Sequence, residues 1–182
     1  MKSKLFKTNE TYFIADIAAN HDGNLNRAKK LIKLCAKAGA NAAKFQHFKA
    51  ETIVSDSGFK SLGKIAHQKK WKQSVFETYK KASINPSWGV ILKKECRKNR
   101  IDYMTAPYDL NYVDEVKKDI VAYKIGSGDI TWKKIIKKIS KKKKPVIIAT
   151  GASSLKDVIR AIKTILKSNP IKPVLMQCNT NY

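Results

Sequence analysis

The sequence predicts an α/β protein with a parallel sheet, built either as a doubly wound open sheet or as a (β/α)8 barrel. Short apolar runs typical of buried strands alternate with longer amphipathic segments. The segments between most of these runs are long enough for the crossover helices that parallel strands require. Polar residues follow the end of each run, which is the edge where parallel α/β folds bind ligands.

Six apolar runs are predicted to be strands. Each is short and, with few exceptions, uncharged, as is typical of strands buried on both faces. In chain order they cover residues 11–19, 42–45, 101–106, 122–125, 145–149 and 174–178.

Helical periodicity fills the intervals between the predicted strands. After the first strand, apolar residues recur at helical spacing from Leu25 to Ala38, with Asn24 placed to cap the helix and Gly39 to end it. The segment 55–85 is less regular and is predicted to be an insertion whose single helix packs its aromatic residues into the core. Further helices are predicted over 71–82, 87–98, 109–118, 131–139 and from Ser153 or Ser154 to about 165.

Composition excludes several classes of protein. The 182 residues suffice for one domain, and no apolar run approaches the roughly 18 residues of a membrane span. Residues 1–10 are mostly polar, unlike a secretory leader, so a cytoplasmic location is expected. The three cysteines form no CxxC pair, which argues against a disulfide framework or a thiolate zinc site.

The net charge of +24 raises the possibility of nucleic-acid binding. Lysine supplies most of this charge, whereas arginine, the usual residue for bidentate contacts to phosphates and bases, occurs only four times. The lysines are predicted to lie on the polar faces of helices along the whole chain rather than in one patch. We therefore expect ordinary solvated faces and no nucleic-acid partner.

Two lysines inside predicted strands are the most specific signal for a binding site. Lys44 and Lys124 are flanked by apolar residues, a costly placement unless the charge is matched, and we expect them on adjacent strands. The matching group could be a phosphate, a carboxylate or a Schiff base; alternatively each lysine reaches solvent at the strand end. The other strand-end candidates are Asp16, Asn20, His21, Gln46, Thr105, Ser127, Gly128, Asp129, Thr150, Gln177 and Asn179.

Several segments together resemble the sialic acid (N-acetylneuraminate) synthase family. They are FIADIAANHDGNLNRAKKLI, AGANAAKFQ, YMTAPYD, YKIGSGD, PVIIATG and LMQCNTNY, in this order along almost the whole chain. The resemblance implies a (β/α)8 barrel, of which residues 1–182 would supply about six of eight units. It also implies condensation of phosphoenolpyruvate with an N-acylated amino sugar such as N-acetylmannosamine, with release of phosphate.

The same resemblance assigns roles to individual residues. Lys44, Lys124, Ser127 and Gly128 would hold the phosphate and carboxylate of phosphoenolpyruvate, and Thr105 lies near a hydroxyl contact. Asp16, where the family usually has glutamate, would face the reacting sugar. Ala106 stands where many members have a hydroxyl residue.

A divalent metal, Mn2+ or Mg2+, is a further implication of the resemblance. Gln177 occupies a position that is a metal-binding histidine in bacterial members, and a second histidine would lie beyond Tyr182. The later strands and a small antifreeze-like domain would also lie outside this chain, and the full-length form would be a homodimer. We expect this chain alone to be inactive. The alternatives are another barrel that condenses phosphoenolpyruvate with an aldose, as in keto-deoxy sugar phosphate synthesis, or a basic nucleic-acid-binding protein.

Overall fold

Six parallel strands form one sheet in which spatial order equals chain order. The computed structural model describes residues 5, 9–62, 68 and 71–180. A doubly wound sheet would reverse its strand order at a switch point, whereas this sheet proceeds in one direction as a barrel does. The architecture is an incomplete (β/α) barrel, which confirms the predicted fold class. The strands are β1 (Ile14–Ala18), β2 (Ala42–His47), β3 (Asp102–Pro107), β4 (Tyr123–Ile125), β5 (Val146–Ala149) and β6 (Val174–Met176).

The described residues contain eight α-helices, most of which cross from one strand to the next. Asn24 caps the first helix by accepting a hydrogen bond from Arg27 N, as predicted, and Ser154 caps the last helix through Asp157 N. No helix in the described ranges is both long and apolar enough to cross a membrane. The helices are α1 (Leu25–Lys37), α2 (Ala50–Ile53), α3 (Asp56–Leu62), α4 (Val75–Ala82), α5 (Trp88–Lys98), α6 (Leu110–Glu115), α7 (Lys133–Ser140) and α8 (Leu155–Leu166).

Alternation along β2 separates the two faces of the sheet. Ala43 and Phe45 join the large apolar cluster between the sheet and its helices, whereas Ala42 joins a small inner cluster. Successive strand residues point to opposite faces, so Lys44 and Gln46 share the inner face with Ala42. The interior of the incomplete barrel therefore changes from apolar to polar as β2 approaches its carboxyl end.

The insertion after β2 differs from its predicted form. It contains α3 as well as α4, with α2 just before it, and α4 begins at Val75 rather than near Trp71. The cause is Ser74, whose hydroxyl accepts a hydrogen bond from Glu77 N at 3.1 Å and fixes the helix start there. Trp71 thus precedes the helix. Residues 63–67 and 69–70 lie outside the described part of the chain.

The lysines are less evenly distributed than the sequence pattern predicts. Helices α7 and α8 pack side by side and form a groove of about 680 Å³. Arg160 is the only one of its cations in an ion pair within the described chain, with Asp157 at 3.4 Å. The expectation that the lysines form no patch is therefore wrong for the face formed by α7 and α8. The cations that line the groove are Lys133, Lys137, Lys141, Lys156, Arg160, Lys163 and Lys167.

Candidate active site at the carboxyl edge of the sheet

A cavity of about 520 Å³ opens where the strands end. Its volume lies in the range of small-molecule sites. We call it the strand-end cavity. Of the residues proposed from the sequence, it is lined by Asp16, Lys44, Gln46, Lys124, Ser127, Gly128, Asp129 and Asn179. The remaining walls are Ile14, Ile53, Met104, Tyr108, Gly126, Ala149, Met176 and Cys178.

Lys44 is buried in this cavity and is paired with a carboxylate. Its Nζ lies 2.7 Å from Asp16 Oδ1, and the two residues are register partners on β1 and β2. The Lys44 side chain is 9% exposed, whereas that of Asp16 is 58% exposed. Asp16 compensates the buried ammonium, and an anionic ligand could compete with it for the same donor.

Lys124 reaches the same cavity from β4 without an ion pair in the described residues. Its Nζ donates a hydrogen bond to the carbonyl of Ile125 at 2.9 Å. Burial, followed by repulsion from Lys44, lowers the pKa of Lys124 from 10.5 to about 8. Because burial destabilises the charged form of Lys124, a bound anion stabilises its ammonium group more than it would stabilise an exposed ammonium group.

The two lysines do not lie on adjacent strands, contrary to our expectation. Strand β3 separates β2 from β4, and Met104 of β3 lines the cavity between the lysines. Both nevertheless line one cavity because each side chain points into the interior of the incomplete barrel. The cavity therefore presents two ammonium groups that come from different strands.

The turn after β4 brings backbone and carboxyl groups to the cavity. Ser127–Asp129 form a 3-10 turn, and Asp129 N donates to the carbonyl of Gly126 at 3.1 Å. A Cβ added to Gly126 would lie 3.1 Å from both Asp129 Oδ2 and Tyr108 Oη, so both side chains lie close over this glycine. Burial raises the pKa of Asp129, and the nearby Lys124 opposes that rise.

Gly151 allows the β5 loop to pack against this turn. Its φ is +52°, and an added Cβ would lie 2.5 Å from Cβ of Ser127. Neither the conformation nor the contact tolerates a side chain. Gly151 thus fixes the position of Ser127 without lining the cavity itself.

Three proposed residues do not line the strand-end cavity and occupy hydrogen-bonded positions in the framework instead. His21 is buried against Phe45 and Trp88, its Nδ1 accepts from Gly23 N at 3.1 Å, and burial lowers its pKa. Thr105 is also buried and donates to the carbonyl of Phe45 at 3.0 Å. Thr150 N donates to the carbonyl of Met176 at 3.0 Å.

His47 is a buried framework residue rather than an acid–base group of the cavity. Its Nδ1 lies 2.7 Å from Thr105 Oγ1, an oxygen that already donates to Phe45. The arrangement therefore requires His47 Nδ1 to be the donor. Burial, followed by repulsion from His21, lowers the pKa of His47 to about 3, so it is neutral near pH 7.

The residue proposed as a metal ligand does not reach the strand-end cavity. Gln177 is exposed and absent from the lining, whereas Cys178, the next residue along the chain, lines it. The described residues contain no group of three or more His, Cys, Asp or Glu side chains placed to hold a metal ion. These side chains alone do not form a metal site, and we assign no step to a metal.

Sequence reasoning placed Tyr108 and Gly126 at this edge but missed Cys178. Tyr108 follows the third predicted strand and Gly126 flanks Ser127, and the Tyr108 hydroxyl accepts from Gln46 Nε2 at 3.5 Å. Cys178 could have been found from alternation, since it lies two residues after the inward-facing Met176.

A second cavity adjoins the first, which we call the aromatic chamber. It has a volume of about 510 Å³, and Gln46 lines both cavities. Trp71 and Tyr79, which the sequence pattern assigned to the core, line the chamber instead. Asn20, also proposed from the sequence, lies here as well. The chamber is lined by Ala18, Ala19, Asn20, Asp22, Gln46, Phe48, Trp71, Thr78, Tyr79 and Ala82.

Comparisons with known proteins agree with this architecture. The sequence profile of the NeuB family matches residues 31–182. The chain belongs to the NeuB family. It is 31% identical over 176 residues to N,N'-diacetyllegionaminic acid synthase of Campylobacter jejuni, covering 95% of this chain and 52% of that protein. The chain thus spans about half the length of the curated relatives it matches, with 48% and 52% in two further cases.

Solved structures show the same fold. The N-acetylneuraminic acid synthetase of Leptospira borgpetersenii, solved with citrate, matches this NeuB chain with a TM-score of 0.79 at 24% identity. That match covers 96% of this chain and 56% of the other. A truncated 3-deoxy-D-arabino-heptulosonate 7-phosphate synthase of Thermotoga maritima matches with a TM-score of 0.64 at 11% identity, covering 92% and 51%. Both matches support the barrel architecture.

Proposed function

We propose that this NeuB-family chain carries the phosphoenolpyruvate-binding part of a nonulosonic acid synthase. The synthase would join phosphoenolpyruvate to an N-acylated amino sugar such as N-acetylmannosamine and release phosphate. The observation that carries the proposal is the pair of inward-facing lysines, Lys44 and Lys124, in one cavity of about 520 Å³. The names of the relatives point to the same class of product.

The cavity suits the charge distribution of phosphoenolpyruvate, in which the phosphate and the carboxylate are both attached to C2. Lys124, with no paired carboxylate in the described residues, would bind one anionic group together with the turn that contains Ser127. Lys44 would bind the other after exchanging its contact with Asp16. Holding the ligand at two points orients its C3 carbon toward the acceptor, which is the main contribution that such binding makes to the rate.

The reaction that we propose balances without a redox partner. C3 of phosphoenolpyruvate forms a bond to the aldehyde carbon of the open-chain sugar, and the aldehyde oxygen takes up a proton. Water adds to C2, and the C2–O bond to phosphate then breaks to give the α-keto acid. Asp16, whose exposed carboxylate lines the cavity, would face the acceptor.

The test measures binding and turnover separately. Calorimetric titration of this chain with phosphoenolpyruvate should give saturable binding that Lys124→Ala weakens at least about tenfold, as expected for loss of a charge-assisted contact. Lys134→Ala removes an exposed lysine of α7 and should leave the affinity unchanged. In the full-length protein, phosphate release should depend on the amino sugar and should be lost in Lys124→Ala.

Two results would contradict the proposal. Equal phosphoenolpyruvate affinity in wild type and Lys124→Ala would show that the strand-end cavity is not the binding site. Phosphate release with an aldose phosphate but with no amino sugar would instead favour a keto-deoxy sugar phosphate synthase.

A further inference from the structure

A further cavity lies at the amino edge of the sheet, the edge opposite the strand-end cavity. It has a volume of about 320 Å³, at the lower end of the range of small-molecule sites. Residues 101–103 at the start of β3, residues 118–121 before β4 and Lys144 before β5 line it. Strand β3 advances about 16 Å from Asp102 to Pro107. A ligand in this amino-edge cavity would therefore be separate from a ligand in the strand-end cavity.

Positive charge predominates in the amino-edge cavity. Its cations are Lys93, Arg97, Lys118 and Lys144, and its only carboxylates are those of Asp102 and Asp119. Asp102 Oδ2 accepts a hydrogen bond from Tyr12 Oη at 2.6 Å, and Asp119 Oδ1 lies 3.3 Å from Lys93 Nζ. The other three cations form no ion pair within the described residues. The cavity therefore carries positive charge that its own carboxylates do not match.

Two of these ammonium groups are held in place by the backbone that enters β4. Lys93 Nζ donates to the carbonyl of Lys118, and Lys144 Nζ donates to the carbonyl of Ile120 at 2.7 Å. An ammonium group has three donor hydrogens, so both lysines retain a hydrogen for a ligand. Burial, followed by repulsion from Lys93, lowers the pKa of Lys144. A bound anion would stabilise both charges.

The hydroxyl of Tyr103 is buried and has no hydrogen-bond partner in the described part of the chain. Tyr103 is 2% exposed, lines the amino-edge cavity and packs its ring on Phe45 with the centroids 5.8 Å apart. Burial raises the pKa of Tyr103, so the hydroxyl is protonated near pH 7 and can donate. A buried donor without an acceptor is costly and rare. Beside unmatched cations, it points to a ligand that supplies both oxygen acceptors and negative charge.

We propose that the amino-edge cavity binds a phosphate group as a dianion, either free or carried by a small molecule. Four cations and two carboxylates leave an excess of two positive charges, which a dianion would balance. Tyr103 would donate from its hydroxyl, and Lys93 and Lys144 would donate from their ammonium groups. The ligand would join α5, the start of β3 and the segment that enters β4, so binding should stabilise the fold. This site does not depend on the proposed function.

Calorimetric titration with inorganic phosphate tests the proposal. It is done in Lys124→Ala, so that binding at the strand-end cavity is weakened and does not obscure the result. Lys124→Ala should still bind phosphate saturably. Adding Tyr103→Phe should weaken that binding at least about tenfold, as expected for loss of a hydrogen bond to a charged group. Glycerol 3-phosphate distinguishes the two sources: tighter binding than inorganic phosphate would support an organic phosphate, and weaker binding would support the free ion.

Two control variants separate loss of the site from loss of structure. Lys94→Gln changes an exposed lysine of α5 that does not line the cavity, and it should leave the phosphate affinity unchanged. Tyr123→Phe removes a buried hydroxyl that donates to the carbonyl of Val113 at 2.6 Å, so it should lower the melting temperature. Tyr103→Phe should not lower the melting temperature in the absence of phosphate, because its hydroxyl has no such bond to lose.

Three results would overturn the inference. The first is an absence of saturable phosphate binding in Lys124→Ala. The second is an equal phosphate affinity with and without Tyr103→Phe, with circular dichroism showing that each variant folds. The third is a melting temperature that Tyr103→Phe lowers as much as Tyr123→Phe does, because the Tyr103 hydroxyl would then already have a partner.

Discussion

Replacing Lys124 with methionine should make the protein more stable and unable to bind phosphoenolpyruvate. The pKa of Lys124 falls from 10.5 to about 8 in the folded protein, mainly through burial. Each tenfold change in proton affinity is equivalent to about 1.4 kcal/mol, so the full penalty for the ammonium would be about 3 kcal/mol. The side chain is only half-buried, and solvent screens part of this penalty; we expect a gain of about 1–2 kcal/mol.

The pH dependence of this gain follows from the direction of the pKa change. Between about pH 8 and 10.5 the unfolded chain holds the Lys124 proton more tightly than the folded chain, so wild-type stability rises with pH in that window. Below pH 8 the whole penalty is present. The advantage of Lys124→Met should therefore be greatest at pH 7 and smaller at pH 9.5.

Urea unfolding followed by circular dichroism measures this difference, with Lys134→Met as the exposed control on α7. Lys134→Met should change the free energy of unfolding little. A Lys124→Met variant less stable than wild type at pH 7 would refute the argument that burial of this charge is costly. An advantage that is equal at pH 7 and 9.5 would show that the lost penalty is not electrostatic.

Two further predictions concern the same cavity. Phosphoenolpyruvate affinity should fall about tenfold between pH 7 and 9, because the protonated fraction of Lys124 falls by that factor around its pKa of about 8. The phosphate, with its second pKa near 6, stays a dianion over this range. Calorimetry at both pH values measures the affinity, and equal affinities would exclude Lys124 as the titrating group. Gly151→Ala should weaken phosphoenolpyruvate binding and lower the melting temperature, because its Cβ would lie 2.5 Å from Cβ of Ser127 at a φ of +52°. The control Gly128→Ala, with nothing within 4 Å of the added Cβ, should keep the wild-type melting temperature.

The strands and most of the helices could be predicted because their signals are local. The six strands were identified from apolar runs, and the helix caps Asn24 and Asp109 were identified from residues whose side chains bind nearby backbone N–H groups. The choice between an open sheet and a barrel depended on family resemblance, because strand order is a long-range property. Neighbouring strands are separated by 15 to 24 residues or, between β2 and β3, by 54, and local patterns contain no information about which pairs form.

The candidate site was predicted in part for the same reason. Lys44, Lys124 and the turn at Ser127 were recognisable because charged or glycine-rich segments interrupt apolar strands. The contacts of Tyr108 with Gln46 and with the turn at Gly126 depend on how the ends of β2, β3 and β4 converge, which no single segment determines. His21 was proposed as a site residue, but its side chain turns inward and its Nδ1 accepts a hydrogen bond from Gly23 N. A polar residue in a strand-end loop can thus belong to the framework and not to the cavity.

The aromatic residues of the insertion were misassigned because helical spacing does not distinguish packing from lining. Tyr79 lies on α4 at a spacing that suits a core helix, and it does contact Phe48 and Trp71. Those rings nevertheless border a cavity, because Ser74 starts the helix late and leaves Trp71 in the preceding loop. The cap at Ser74 thus leaves Trp71 outside α4, where it lines the cavity together with Tyr79.

The charges of the strand-end cavity explain why its two lysines, only one of which is ion-paired in the described residues, are compatible with a stable fold. Asp16 neutralises Lys44, the more deeply buried of the two, so that this pair is close to neutral before ligand binds. Lys124 has no such partner in the described chain and responds instead by a lowered pKa. An anion that binds Lys124 would restore its full protonation, and this gain favours binding over the empty state. Because Asp16 is exposed, it could separate from Lys44 at little cost and turn toward an acceptor at the cavity mouth. Asp16 would thus limit the cost of the buried Lys44 without ligand, and the two lysines would form a net positive site when phosphoenolpyruvate enters.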